Sequence, residues 1–398
     1  PSVKRIDRNG DEFTPSSDFF RNHELFIMPK CLLSPAGVET YGKDMKGTGL
    51  DFTGASGNAM VWCNNPQYKY LYESDSDTQY YWYAPYNSNY RGFDYFPTCY
   101  QVTGKLHDHF FMAAYEASGF LDTVDGKFKL QSATGKQPIT GGVNYPDLPN
   151  SGRFTLDDAL TYAKNIGSGW SIGNTWSYAL LQGLSYIQYG TRDLQTALGR
   201  GIVDMPSGEG FAGKLTGADD IDSRLDIEGC GVGSGVNGQT PIRWRNIENL
   251  YGNVWEFVAG INMFLGDGTD ASGDAYTAGS YRVLKRDGTG TVAAALPKGS
   301  YETGIGKVPI VADGYISKIQ TEELGALAFI PSENIGSSST HFCDQFWYPR
   351  FNPSIARAGG RWDGGTTAGV NSRRMDYQTS ITIRDIGARI EFHPPEVV

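Results

Sequence analysis

Residues that could do chemistry are scattered along this 398-residue chain. Its five cysteines, Cys31, Cys63, Cys99, Cys230 and Cys343, are odd in number and far apart. No CxxC pair occurs, and a zinc framework needs closer spacing, so free, mostly buried thiols made in a reducing compartment are expected. His107 and His109 stand two apart, on one face of a strand, as a metal site could use. No third ligand lies nearby, and a structural or partly exposed role is expected. Asp75 and Asp77 could hold a hard cation. Their loop lacks the glycine and distal glutamate of a calcium loop, so a solvated turn is expected. Gly266-Asp267-Gly268-Thr269-Asp270 is the best of several weak cation loops and reads more simply as a hairpin connection. Gly231-Val232-Gly233 fails as a phosphate loop, because no helix-forming segment follows and no Lys-Ser/Thr is appended.

Charge and composition narrow the class. The 34 basic and 44 acidic residues give a net charge of −10, with no Lys/Arg block. That excludes the electrostatic footprint of a nucleic-acid or anionic-membrane binder. No run of apolar residues is long enough for a transmembrane helix, and the polar start, Pro1 to Asp7, does not read as a signal peptide. Aromatics make up 13%, with 24 Tyr and 51 Gly against 20% charged residues. Such a mixture suits a loop-rich, β-containing fold whose surface makes contacts through Tyr, Trp, Gly, Asn and Ser.

The elements that position these residues follow from patterning. Residues 1–105 read as a β-rich region. Within it lie an apolar run at Glu24–Met28, another at Gly57–Cys63, and two alternating aromatic strands, Tyr68–Glu73 and Gln79–Ala84, about a turn. Thr155 to Gly167 reads as a capped helix with acids in its first turn and a stop glycine. A second helix runs from Asn174 to Tyr189, and a shorter helical turn carries Leu194 and Leu198. Gly199 to Gln239, with Gly208-Glu209-Gly210, is glycine-dense loop. In Arg243 to Val258, an aromatic strip meets a Tyr-Gly-Asn turn. Gly252 and Asn253 supply positive-φ chemistry, and Trp244, Val254, Trp255, Phe257 and Val258 need a core.

At Asn249-Leu250-Tyr251-Gly252-Asn253-Val254-Trp255-Glu256-Phe257-Val258 the chain resembles the G-N-V-W-E-W signature of the C-type-lectin-like fold of formylglycine-generating enzymes. Variable proteins of diversity-generating retroelements, phage tropism determinants among them, use the same fold. Gly359-Gly360-Arg361-Trp362-Asp363, followed by Ile386-Gly387-Ala388-Arg389-Ile390, is similar to the family's closing pattern. The resemblance covers about residues 105 to 393. It implies an α+β fold, a C-type-lectin-like (formylglycine-generating-enzyme-like) domain over 106–398 behind the β-rich region 1–105, with a closing segment at 356–392.

The resemblance also bears on function. Oxidase members carry a reactive cysteine pair in the closing segment, and here no cysteine follows Cys343. Sulfoxide-synthase relatives use a histidine array for iron, which His23, His107, His109, His341 and His393 do not form. No enzyme activity, no metal site and no cofactor are therefore expected, calcium being left open by Asp267 and Asp270. Binding remains. The resemblance implies a display surface made of Trp362, Asp363, Thr366, Thr367, Asn371, Arg373, Arg374, Asp376, Tyr377 and Gln378, with Trp362 doubling as a candidate core anchor. Exposed Trp, Tyr and Arg are the residue types of interface hot spots. The implied protein is a phage virion component (a tail or head fibre, spike or decoration) made in the host cytoplasm. It would bind a host-cell receptor, protein or glycan, contact other virion proteins, and form a homo-oligomer such as a trimer without entering a membrane. The alternatives are a formylglycine-generating-type oxidase and a cellular lectin-like adhesin.

Overall fold

A computed structural model describes residues 2–7, 9–99, 105–142, 145–207, 213–218, 221–269, 275–276, 278–285, 301–307 and 310–394. The architecture is mainly β with some helices. In chain order the elements used below begin with β1 (Lys30–Leu33), β2 (Glu39–Tyr41), β3 (Asn58–Asn64), β4 (Pro66–Glu73), β5 (Thr78–Pro85) and β6 (His109–Ala113). Helix α1 (Leu156–Lys164), β7 (Trp170–Ile172) and helix α2 (Thr175–Tyr189) follow. The second half supplies β8 (Trp255–Phe264), β9 (Ser280–Leu284), β10 (Tyr301–Lys307), β11 (Gly314–Tyr315) and β12 (Gln345–Trp347). It closes with β13 (Ser354–Gly359), β14 (Gly369–Tyr377), β15 (Ile386–Gly387) and β16 (Ile390–Phe392).

Two sheets carry the molecule. The first is six-stranded in the order β7-β16-β6-β3-β1-β2. The division expected at residue 105 runs through it, because β3 pairs antiparallel with β6 from Met60↔Ala113 to Asn64↔His109. β3 thus finds one of its two partner strands beyond residue 105, while β1 and β2 and the β4–β5 hairpin pair within the first region. The second sheet runs β10-β9-β8-β13-β14-β12-β11, with β15 added in parallel to β8. Its central strand β8 is buried along its whole length and bulges against β13 between Val258 and Asn262, where Gly260 takes φ +75°.

Local sequence accounts for the helices. Thr155 and Asp158 form a reciprocal capping box at the start of α1. Asn174 caps α2 by accepting from the Trp176 and Ser177 amides, and Gly190 ends it in the left-handed conformation. Tyr68–Glu73 and Gln79–Ala84 lie within the antiparallel hairpin β4–β5. The apolar run before Pro29 departs from the strand-rich expectation. It forms a 3-10 turn, Glu24–Phe26, whose entry is capped by the His23 ring accepting from the Leu25 amide at 3.3 Å.

The aromatic strip and the closing pattern meet in a buried polar network. Gly252 and Asn253 adopt φ +86° and +61°, as their turn requires. Asn253 Nδ2 donates to Glu116 Oε2 at 2.5 Å, and the Val254 amide donates to Glu116 Oε1 at 3.3 Å. Arg389, 1% exposed, lies 2.7 Å from Glu256 and donates to the carbonyls of Ala113, Glu248 and Asn249. Tyr178 on α2 donates to the other Glu256 oxygen at 2.5 Å. Two residues beyond Arg389, Glu391 accepts from Asn174 Nδ2 at 2.7 Å and Ser177 Oγ at 2.6 Å, fixing the start of α2.

Two carboxylic groups, Glu116 and Glu256, thus share one guanidinium. Burial, then the Glu256 charge, pushes Glu116 from 4.5 up to about 8, which leaves the trio close to neutral. The folded state therefore holds a proton that the unfolded chain releases near pH 4.5, and this contribution to stability is lost as pH rises from about 4.5 to about 8. Urea midpoints should fall across that window in the wild type and fall less in Glu116→Gln; parallel curves would refute the assignment. Arg389→Met should strand Glu256 without its partner and cost roughly 3–5 kcal/mol in chemical denaturation. A loss below about 1 kcal/mol would remove the network from its central role.

Candidate binding surface

The closing segment leaves β13 through Gly359 and Gly360, at φ +91° and +96°, and crosses a 3-10 turn at Gly365–Thr367 before entering β14. A Cβ at Gly369 would fall 1.7 Å from Asp344 Oδ1, so only glycine lets the Asp344 carboxylate reach the Asn371 amide, 2.7 Å away. Burial holds the Asp344 acid well above the usual carboxylate range.

The structure divides the ten expected display residues. Trp362, 2% exposed, packs with Ile202 and Val254 as a core anchor. Asn371 is fully buried, Arg373 is 8% exposed and Asp376 3%. Arg373 spends its donors inside, on the Val370 and Ser372 carbonyls and Gln182 Oε1. These four side chains are corrected from display to interior: Trp362 because it packs with Ile202 and Val254 ahead of β14, and the other three because β14 runs between β13 and β12 with both of its faces largely covered. Thr366 and Gln378 are exposed, and Asp363, Thr367, Arg374 and Tyr377 are half-buried. These fall into two groups at opposite ends of β14, separated by eight residue steps, roughly 26 Å. At one end Thr366 Oγ1 meets the Tyr315 hydroxyl at 2.8 Å and Thr367 Oγ1 donates to the Gly364 carbonyl.

At the other end, three arginines converge on Asp376. Arg357 Nη2 donates to Oδ1 at 2.6 Å, Arg374 Nε at 3.0 Å, and Arg350 Nη1 to Oδ2 at 3.4 Å. Aromatic faces lock the same guanidiniums. Arg374 lies 5.4 Å from the Trp347 ring centroid and 5.6 Å from that of Tyr377, and Arg350 lies 5.6 Å from that of Tyr348. Arg357 lies between Tyr377 at 4.3 Å and Trp255 at 5.8 Å. The outward parts of Trp347, Tyr348, Arg350, Arg374 and Tyr377 form a surface of fixed donors and flat rings, suited to binding rather than to bond breaking. Sequence reasoning missed Trp347, Tyr348 and Arg350, which precede the segment chosen. Their signal was the aromatic and arginine density of Phe346-Trp347-Tyr348-Pro349-Arg350-Phe351.

The other candidates place elsewhere. His109 stacks on Trp62 with centroids 3.6 Å apart and meets Asp108 at 2.6 Å. Asp77 pairs with Lys318 and accepts from the Tyr72 hydroxyl. Asp267 accepts from the Ala278 amide, while Asp270 and the Gly208-Glu209-Gly210 stretch lie outside the described residues. No group of three or more His, Cys, Asp or Glu able to hold a metal ion occurs among the described residues. An open cleft of about 410 Å³ lies between the Gly54–Asn58 loop and Phe120, and no closing-segment residue lines it. No described helix is long and apolar enough to cross a membrane.

Solved structures resemble the chain weakly. The Major Tropism Determinant U1 variant is 11% identical, covering 83% of this chain and 72% of that one, with a TM-score of 0.28. The P3c variant is 12% identical over 92% and 71% of the two chains, and the I1 variant 14% over 83% and 72%, each with a TM-score of 0.28. No family model matches the sequence, and no curated protein matches it. Overlap of this extent carries no conclusion about what the chain does.

Removing the shared acceptor should be felt at once. Asp376→Ala leaves three guanidiniums without their common carboxylate, and a loss of roughly 3–5 kcal/mol is expected in denaturant titration. Thr366→Ala, on an exposed turn, should stay within about 0.5 kcal/mol. Equal losses for the two variants would contradict this picture.

Proposed function

We propose that this chain is a phage virion protein with a C-type-lectin-like domain that attaches the particle to a host cell through the Asp376 end of its closing segment. One observation carries the reading. The strip at 249–258 and the closing Ile386 to Ile390 pattern, which carry the family resemblance, are joined by Arg389, Glu256 and the β8–β15 pairing. Between them the chain presents fixed arginine and aromatic side chains at one edge. A surface immobilised before contact loses little side-chain entropy on binding, which favours recognition. The protein works as a homo-oligomer in the virion, alongside other particle proteins.

Thiol chemistry is disfavoured on physical grounds. All five cysteines are buried and free. Burial pushes Cys31 up to about 12 and Cys343 up to about 11, and raises Cys63, Cys99 and Cys230 as well. A thiol oxidase needs an accessible thiolate, and these environments favour the protonated thiol.

The test is adhesion of purified protein to intact candidate host cells, beside a variant carrying Arg374→Ala, Tyr377→Ala and Gln378→Ala. Wild type should bind, and the variant, checked as folded by circular dichroism, should lose at least about tenfold in affinity, as hot-spot residues do. A folded variant that adheres like wild type would rule out this end of the segment as the contact.

A further inference from the structure

The surface around Asp376 carries more positive than negative charge, on a chain whose net charge is −10. Arg350, Arg357 and Arg374 face Asp376, and Arg350 also meets Asp313 at 2.8 Å. Three cations are thus set against two anions. Asp385, which also acts on Arg357, is bound by Arg361. Arg357 is fully buried, and its Nε and Nη1 have no hydrogen-bond partner. Burial, with Arg374 nearby, lowers its guanidinium to about 10 despite Asp376. Above it, the Arg350 side chain is 46% exposed and that of Arg374 20%. Both guanidiniums reach the same oxygen, Asp376 Oδ2, and each lies near a half-buried ring, Arg350 near Tyr348 and Arg374 near Tyr377.

Resting on the adhesion reading above, we propose that this surface binds an acidic saccharide, its carboxylate between Arg350 and Arg374 and its sugar ring against Tyr348 and Tyr377. Paired guanidiniums match a carboxylate in charge and in fork geometry. The aromatic faces suit the C–H face of a pyranose, and their polar tips suit its hydroxyls. An acidic peptide fits less well, because at Arg374 itself β14 is already paired on both sides, with Arg357 of β13 and Trp347 of β12, which leaves no strand edge there to align a peptide backbone.

The test titrates trigalacturonate, neutral galactotriose and an oligoglutamate peptide into wild type, Arg350→Gln and Arg374→Gln by calorimetry, with the same proteins applied to host cells. Arg350→Gln is the variant least able to disturb folding, being the most exposed of the three arginines. Trigalacturonate should bind wild type at least about tenfold more tightly than either comparison ligand, weaken with added salt, and lose roughly tenfold or more in each variant. Oligoglutamate binding as tight as trigalacturonate overturns the proposal, as does saccharide binding that Arg350→Gln leaves unchanged. Cells bound equally by wild type and Arg350→Gln, with no saccharide bound by either, overturn it and leave adhesion standing. Saccharide bound by wild type and lost in Arg350→Gln, with no cells bound, supports the site and overturns adhesion.

Discussion

A buried guanidinium sets most of this architecture. Arg389 comes from the loop between β15 and β16, yet its donors reach the Ala113 carbonyl at the end of β6 and the Glu248 and Asn249 carbonyls ahead of the aromatic strip. Its charge is met by Glu256 on β8, which is in turn held by Tyr178 on α2. One side chain therefore ties both sheets and a helix to a single point. A cation buried this deeply is tolerable only where its charge is met, and here both Nη groups are engaged as well, so the surrounding backbone has few other positions to occupy. Glu116 joins from the far side through Asn253.

The same rule shapes the closing segment. β14 carries Asn371, Ser372, Arg373 and Asp376 into an interior position, and each needs a partner there. Gln182, Gln345 and Arg357 meet the Arg373, Ser372 and Asp376 side chains, and Asp344 accepts from the Asn371 amide, so the strand is held by polar contacts as well as by its ladder. Asp376 differs from the rest because its partners fan outward. A buried acid that grips arginines from below turns flexible cations into positioned ones, and the aromatic rings finish the restraint.

How much of this was legible in the sequence depends on how local the determinant is. Thr155, Asn174 and Gly190 declare the helix ends because a cap acts within one turn. Gly252 and Asn253 declare their turn through backbone conformation alone. The burial of β14 was not legible, because Gln182 lies 191 residues from Arg373 and no local pattern pairs them. The pairing of β3 with β6 across residue 105 was not legible for the same reason, since it joins strands that no local pattern connects. Within the closing segment, exposure depended on which strand neighbours covered each residue, which its own type does not declare. Arg350 and Trp347 lie six and nine residues ahead of position 356, outside the stretch that the resemblance marks.

The first sheet also governs when the chain can finish folding. β16 sits between β7 and β6, pairing Phe392 with Phe111 and Glu391 with Met112. Arg389 bonds a carbonyl 276 residues upstream. A nascent chain emerging from the ribosome can complete α1, α2 and the β4–β5 hairpin from neighbouring residues. The flanks of β6 and β7 that await β16 must stay open until residues 390–392 have emerged. Contacts of such long range are slow to form. During synthesis the facing edges of β6 and β7 therefore stay unsatisfied until β16 is made, and that one strand covers both.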